Sequence, residues 1–170
     1  MGFGAAVSSG FRQYAKLSGR ASRSEYWWWG VFAVLVGIIA AIAGAVLSVT
    51  TGSRLPDEII HGASTLALLL PNIAISVRRL HDLNRSGWWL SASFILIFFI
   101  LALGVPVGIR MAENYHGGLS LTDGLPLAGF VVIAALVMAE GVVSLLLVFW
   151  YCMRGTKGAN RFGADPLRAV

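Results

Sequence analysis

The chain is 170 residues long, with 57% apolar residues and only 12% charged ones, which leaves too little polar surface to cover a folded domain in water and excludes an ordinary soluble protein. Its net charge of +5 sits at the flanks of long apolar runs and not along a polar stripe, so anionic lipid headgroups, not nucleic acid, are the expected counter-charge. The single cysteine, Cys152, permits no intrachain disulfide, and nothing in the composition asks for a cofactor.

Three regions follow in order: a cytoplasmic leader over 1–25, a four-span membrane domain over 26–153, and a cytoplasmic glycine-rich tail over 154–170. In the leader, Phe3, Val7, Phe11 and Tyr14 recur at spacings of four, four and three, which predicts a short amphipathic helix lying in the interface, with Arg12 and Lys16 pointing elsewhere. Ser22 and Glu25 stand in capping-box spacing, so the first membrane helix is expected to begin near Arg23. Its apolar run, Tyr26 to Val49, is 24 residues without a charge, or about 36 Å of helix, enough to cross a hydrocarbon core of about 30 Å. A cleaved signal peptide fits poorly. Ala43 and Ala45 offer a small-residue cleavage pattern, but the run exceeds the roughly 7–15 residues of a signal h-region.

Inside this span Ala33, Gly37, Ala41 and Ala45 form a stripe of small side chains suited to close helix packing, within the bundle or between copies of the chain. The second span, Ile59 to Val77, contains His61, Pro71 and Asn72; a buried re-entrant segment is the alternative reading. The third is Trp88 to Ile109 and the fourth Leu127 to Met153, the latter with Glu140 near its middle. The expected fold is therefore all-α, an integral membrane four-helix bundle with an interfacial N-terminal helix.

Charge bias gives the orientation. Arg12, Lys16, Arg20 and Arg23 precede span one; Arg78, Arg79 and Arg85 follow span two; Arg154, Lys157, Arg161 and Arg168 follow span four. The opposite loops hold only Arg54 and Arg110. Lys and Arg are retained on the cytoplasmic side, so eleven against two places both termini inside. All six tryptophans, Trp27, Trp28, Trp29, Trp88, Trp89 and Trp150, fall at that same interface, where an apolar ring with a polar tip is at home.

The blocks "SGRASRSEYWWW", "RRLHDLNRSGWW" and "GTKGANRFGADP" resemble, in order and spacing, those of the bacterial membrane family catalogued as domain of unknown function 805, over about residues 11 to 166. The resemblance implies a small multi-spanning protein of the bacterial inner membrane and implies no reaction.

Four crossings bring all three blocks to the cytoplasmic face. Arg20, Arg23, Arg78, Arg79, Arg85 and Arg161 are candidates for gripping an anionic headgroup or ligand, since guanidinium groups make two-point contacts with phosphates and carboxylates. Their alternative role is to bond Glu25, Asp82 and Asp165 and knit the loops together. Glu25, His81, Asp82, Asn160 and Asp165 are expected to form a structural polar network. His81 beside Asp82 suggests a general base or a metal ligand, but His61 and His116 belong to the opposite side, so too few ligands gather for a metal. The nearest hydroxyls, Ser22, Ser24 and Ser86, sit in capping and turn contexts, so no catalytic residue is assigned. The tail lacks the order of a phosphate-binding loop; Gly155, Gly158, Gly163 and Pro166 are expected to fold it into turns held by Asn160 and Asp165.

Glu140 and Asn72 are the intramembrane polar residues. A carboxylate at mid-membrane costs on the order of 2.5–3.5 kcal/mol, so Glu140 should face the interior of the protein. Asn72 lies about 12 Å too shallow to meet it without tilt, a kink or water. The leading functional expectation is a non-enzymatic inner-membrane protein whose basic face engages anionic lipids or a protein partner. The alternative is a small ion or solute transporter or channel component using Glu140, as a homo-oligomer or with a membrane-protein partner.

Overall fold

The structure is a computed structural model that describes residues 1–114 and 127–167. The expectations placed on His116 and Arg168 lie outside the described residues, as does the side chain of Arg110. Five helices run in order: α1 Phe3–Arg12, α2 Arg23–Thr51, α3 Leu55–Asp82, α4 Trp88–Asn114 and α5 Leu127–Cys152. No strand joins them among the described residues, and α2 to α5 each hold a stretch long and apolar enough to cross a membrane. The protein is therefore an all-helical, multi-span membrane protein.

The chain divides into two compact units, one of Met1–Gly87 with Tyr151–Val170, the other of Trp88–Trp150. In the first unit α2 begins at Arg23 because Ser22, in an extended conformation, turns its hydroxyl to the Glu25 amide at 3.2 Å. Only half of the capping box forms. The Glu25 carboxylate leaves the cap and accepts from Ser9 and Arg78 instead. Along the outer side of α2, Val34, Ile38, Ile39, Ile42 and Val46 are exposed, the arrangement expected where lipid is the solvent.

Against α3 the buried residues of α2 are Glu25, Trp29, Ala40 and Gly44. The small-residue stripe is thus only partly used. Gly37 and Ala45 are exposed, and apart from the adjoining turns of its own helix no atom of the described residues comes within 4 Å of where a Gly37 side chain would begin. Gly44 permits the close approach, because a Cβ there would run into Asp57. Trp29 packs with Ala21 and Ile75 to form the core of the unit, flanked by Tyr26, Phe32 and Leu68.

α3 continues five residues beyond the apolar run that marks it in the sequence, to Asp82. It does so because Arg78, Arg79, His81 and Asp82 are themselves buried against polar partners. Asn84, at φ 58°, then stops the helix, with its amide and that of Arg85 donating back to His81 and Leu80 carbonyls at 2.9 and 3.0 Å, a left-handed C-terminal cap.

α1 rests on α2 and α3 through Ala6, Ser9 and Gly10, which are buried, whereas Phe3 and Phe11 stay largely exposed. Its most deeply buried stripe is therefore the small one. Phe3 edges Trp28, and Phe11 edges Trp29 and Phe32. Gly10 is needed at that crossing, since a Cβ would overlap the Trp29 ring. Tyr14, beyond the end of α1, donates its hydroxyl to the Ala67 carbonyl. Proline has no amide hydrogen, so Pro71 leaves the carbonyl four residues earlier unbonded in the helix; that carbonyl is Ala67, and Tyr14 satisfies it.

In the second unit the start of α4 meets the end of α5, Trp89 against Trp150 with centroids 5.1 Å apart, so the two helices run antiparallel.

Candidate functional site

The polar structure of the first unit is organised around Asp82. The end of α3 brings Arg78, Arg79, His81 and Asp82 within reach of the 13–25 segment and the tail. Arg20 places Nε 2.9 Å and Nη2 2.8 Å from Asp82 Oδ1, and Arg79 Nη1 lies 2.5 Å from Oδ2. The three side chains are 1%, 0% and 5% exposed for Arg20, Arg79 and Asp82. A second pair, Arg78 with Glu25 at 3.0 Å, is equally enclosed and also takes Gln13 Oε1 at 3.1 Å.

Both arginines on Asp82 have additional work as backbone clamps. Arg20 donates to the Gly158 and Thr156 carbonyls at 2.6 Å each. Arg79 donates to the carbonyls of Tyr151 at 3.2 Å and of Met153, groups that the end of α5 leaves without intrahelical partners. The tail returns the contact: the Thr156 amide and hydroxyl both donate to the Asp82 carbonyl, at 2.9 and 3.0 Å. Gly155 is required there because a Cβ would overlap the Asp82 carboxylate.

His81 does not pair with Asp82. Its ring stacks on Phe162 at 3.8 Å and 4°, and Nδ1 lies 3.2 Å from the Gly19 carbonyl. Asn160 donates to the His81 carbonyl at 2.9 Å, and its Oδ1 accepts from the Phe162 amide at 2.9 Å. Asp165 holds the tail turns by accepting from the Gly158 and Leu167 amides at 2.9 and 3.0 Å. No group of three or more His, Cys, Asp or Glu gathers as a metal site among the described residues.

Of the six arginines singled out in the sequence, Arg20, Arg78 and Arg79 are thus enclosed and ion-paired, with no surface to offer an external ligand. Arg161 reaches the Asn84 carbonyl at 3.2 Å and lies over the Phe162 ring. Arg85 follows the end of α3, and its amide closes the cap there. Arg23 is exposed, touches the Cys152 carbonyl at 3.4 Å, and borders an open cleft of about 760 Å³.

That cleft lies between the start of α2 and the tail. Its lining combines Arg23, Arg154 and Lys157 with Ser22, Ser24 and Thr156, with Trp27 and Leu167, and with the acids Asp82 and Asp165. Arg154 and Lys157 are exposed and form no ion pair among the described residues, and sequence pattern alone does not single them out as ligands. The available signal was their position after a membrane helix, in a stretch whose one acid, Asp165, is used by backbone turns.

The intramembrane polar residues resolve separately. Asn72 Oδ1 accepts from Trp29 Nε1 at 2.7 Å within the first unit. In the second unit Glu140 Oε1 accepts from Ser93 at 2.5 Å and Ser144 at 2.8 Å, while its buried Oε2 has no hydrogen-bond partner among the described residues.

The chain is similar to two proteins of Escherichia coli (strain K12): it is 32% identical to "Inner membrane protein YhaI" over 155 residues, covering 91% of this chain and 89% of the relative. With "Inner membrane protein YhaH" it shares 29% identity over 157 residues, 91% of this chain and 90% of the relative. No solved structure matches it. Residues 14–164 match a family model, a span that takes in Arg20, the α3 terminus and the tail through Ala164, and the chain belongs to that family, "Protein of unknown function (DUF805)".

Proposed function

We propose that this protein is a non-enzymatic component of the bacterial inner membrane, with both termini cytoplasmic and a basic cytoplasmic face that engages anionic lipid headgroups. The observation that carries the reading is the division of labour among the cations. Buried pairs centred on Asp82 and Glu25 bind the N-terminal segment, the α3 terminus and the tail together, and three cations outside these pairs, Arg23, Arg154 and Lys157, share one cleft. Basic residues near a membrane surface gain about 1 kcal/mol each from anionic lipid. The names of the relatives and the concentration of Lys and Arg on these segments support the compartment and the orientation.

The test is native mass spectrometry of the detergent-purified protein with phosphatidylglycerol or phosphatidylcholine added in parallel. Preferential retention of phosphatidylglycerol, lost in high salt, is the expected result; equal retention of the two lipids contradicts the reading.

A second reading, a small ion or solute transporter component, is favoured by Glu140, where two serine hydroxyls converge on one carboxylate oxygen. An acid in a membrane helix marks an ion pathway by default. Flux into proteoliposomes decides it: transport that disappears in Glu140→Gln supports this reading, and absence of flux in the wild type removes it.

A further inference from the structure

We infer that the cleft between the start of α2 and the tail is a discrete site for a phosphate ester, occupied by the headgroup of an anionic glycerophospholipid. This rests on the reading that the basic face engages anionic headgroups and goes further, because a diffuse charged surface requires no particular residues.

Four observations build the site. First, Arg23, Arg154 and Lys157 converge on one cavity, and none of them forms an ion pair among the described residues. Arg154 and Lys157 donate no side-chain hydrogen bond among those residues either, so their charge is available to a ligand. Second, the acids on the wall offset only part of that charge. Asp82 is saturated by Arg20 and Arg79, and the single carboxylate of Asp165, held by the Gly158 and Leu167 amides, stands against three cations.

Third, Ser22, Ser24 and Thr156 line the same space; the Thr156 hydroxyl hydrogen is committed to the Asp82 carbonyl, and the mutually bonded Ser22 and Ser24 hydroxyls keep one hydrogen to donate. Ser22 and Ser24 stand at the N-terminus of α2, where the helix dipole adds positive potential and favours an anion. Cations with hydroxyl donors are the chemistry that recognises phosphate oxygens.

Fourth, the depth is that of a headgroup. α2 begins at Arg23, so the cleft opens where that membrane helix leaves the apolar layer. Trp27, one turn into α2 and 45% exposed, forms a wall with Leu167. An amphipathic ring beside a phosphate-binding pocket suits a glycerol backbone and the first acyl carbons. A volume of about 760 Å³ accommodates a headgroup with its glycerol and falls within the range of small-molecule sites.

The position of the tail is set by the Asp82 network, so the site is assembled only when Arg20 and Arg79 hold the segment around Thr156. Network residues are therefore positioning residues, and the cleft cations are the ligand contacts.

The experiment compares two charge-matched double variants of the full chain in detergent: Arg154→Gln with Lys157→Gln in the cleft, and Arg12→Gln with Lys16→Gln on the exposed leader. Phosphatidylglycerol binding is titrated by native mass spectrometry, with glycerol 3-phosphate as a soluble competitor. At roughly a fivefold loss per cation, the cleft pair should weaken phosphatidylglycerol binding about 25-fold, and the leader pair less than about twofold. Millimolar glycerol 3-phosphate that displaces the lipid identifies the phosphate ester as the recognised group; competition without any lipid preference in the wild type assigns the site to soluble esters and overturns the lipid identity.

Equal weakening by the two double variants overturns the discrete site and leaves the charged-face reading standing. No phosphatidylglycerol preference in the wild type, together with no binding of glycerol 3-phosphate, overturns both. All four substituted residues are exposed, so unchanged thermal unfolding confirms that the comparison reads binding and not folding.

Discussion

Replacing Asp82 with asparagine tests the network at its centre. The substitution keeps the side-chain shape, including its contact with Gly155, but removes the charge that neutralises both Arg20 and Arg79. Those guanidinium groups are 1% and 0% exposed. Removing one partner of a buried ion pair costs about 3–5 kcal/mol, because the remaining charge is left uncompensated. Here two cations lose one anion, which pushes the cost upward. The carbonyls of Gly158, Thr156, Tyr151 and Met153 still accept from them, which pulls it back. The expected loss is therefore about 4 kcal/mol, read by SDS titration of the purified protein in mild detergent.

Arg20→Gln should cost less, about 2 kcal/mol, because Asp82 retains Arg79 at 2.5 Å. The double variant should cost clearly less than the sum, with a coupling of at least about 1 kcal/mol, since removing Arg20 relieves the excess positive charge that Asp82→Asn creates. Limited proteolysis supplies the structural readout: cleavage within Thr156 to Asp165 should rise in Asp82→Asn. A variant within about 1 kcal/mol of wild type with a protected tail refutes the assignment of Asp82 as the centre of the face.

Other consequences are equally specific. Tyr14→Phe should cost about 1 kcal/mol by leaving the Ala67 carbonyl unbonded, and the cost should shrink in a Pro71→Ala background, where the restored amide supplies the missing donor; an unchanged cost there contradicts the pairing. Trp29→Phe removes the donor to Asn72 and should lower stability by about 1 kcal/mol or more, measured by the same titration. Gly155→Ala should displace the tail and cost about 1–3 kcal/mol through overlap with Asp82, detected as increased tail proteolysis. Raising salt from low to high concentration should weaken phosphatidylglycerol retention while leaving unfolding nearly unchanged, because exposed charges are screened and buried pairs are not.

The four spans were legible because apolar length governs whether a helix can cross a bilayer, and the start of α2 was legible from Ser22 and Glu25. The far end of α3 was not. Hydropathy ends that helix at Val77, where the arginines begin, since a window of sequence cannot register that Arg78 and Arg79 are neutralised by Glu25 and Asp82, the first of these acids lying 53 residues from its arginine. The docking face of α1 was hidden for a related reason. Spacing showed where the large apolar residues recur, while the helix approaches its neighbours through Ala6, Ser9 and Gly10, because close packing in a membrane favours small side chains. The buried ion pairs lie within or beside the arginine-rich blocks. Which cations are consumed internally and which remain for a ligand depends on tertiary pairing, so Arg154 and Lys157 emerged only with the cleft.

The proposed topology puts the three basic segments on the cytoplasmic surface together. Single cysteines placed by Lys16→Cys, Arg54→Cys, Arg85→Cys and Lys157→Cys in a Cys152→Ser background, treated with a membrane-impermeant maleimide in spheroplasts, test it directly. Labelling of the position 54 variant in intact spheroplasts, with the other three labelled only after permeabilisation, is the predicted pattern. Labelling of the position 85 variant from outside, with positions 16 and 157 protected, would contradict the account.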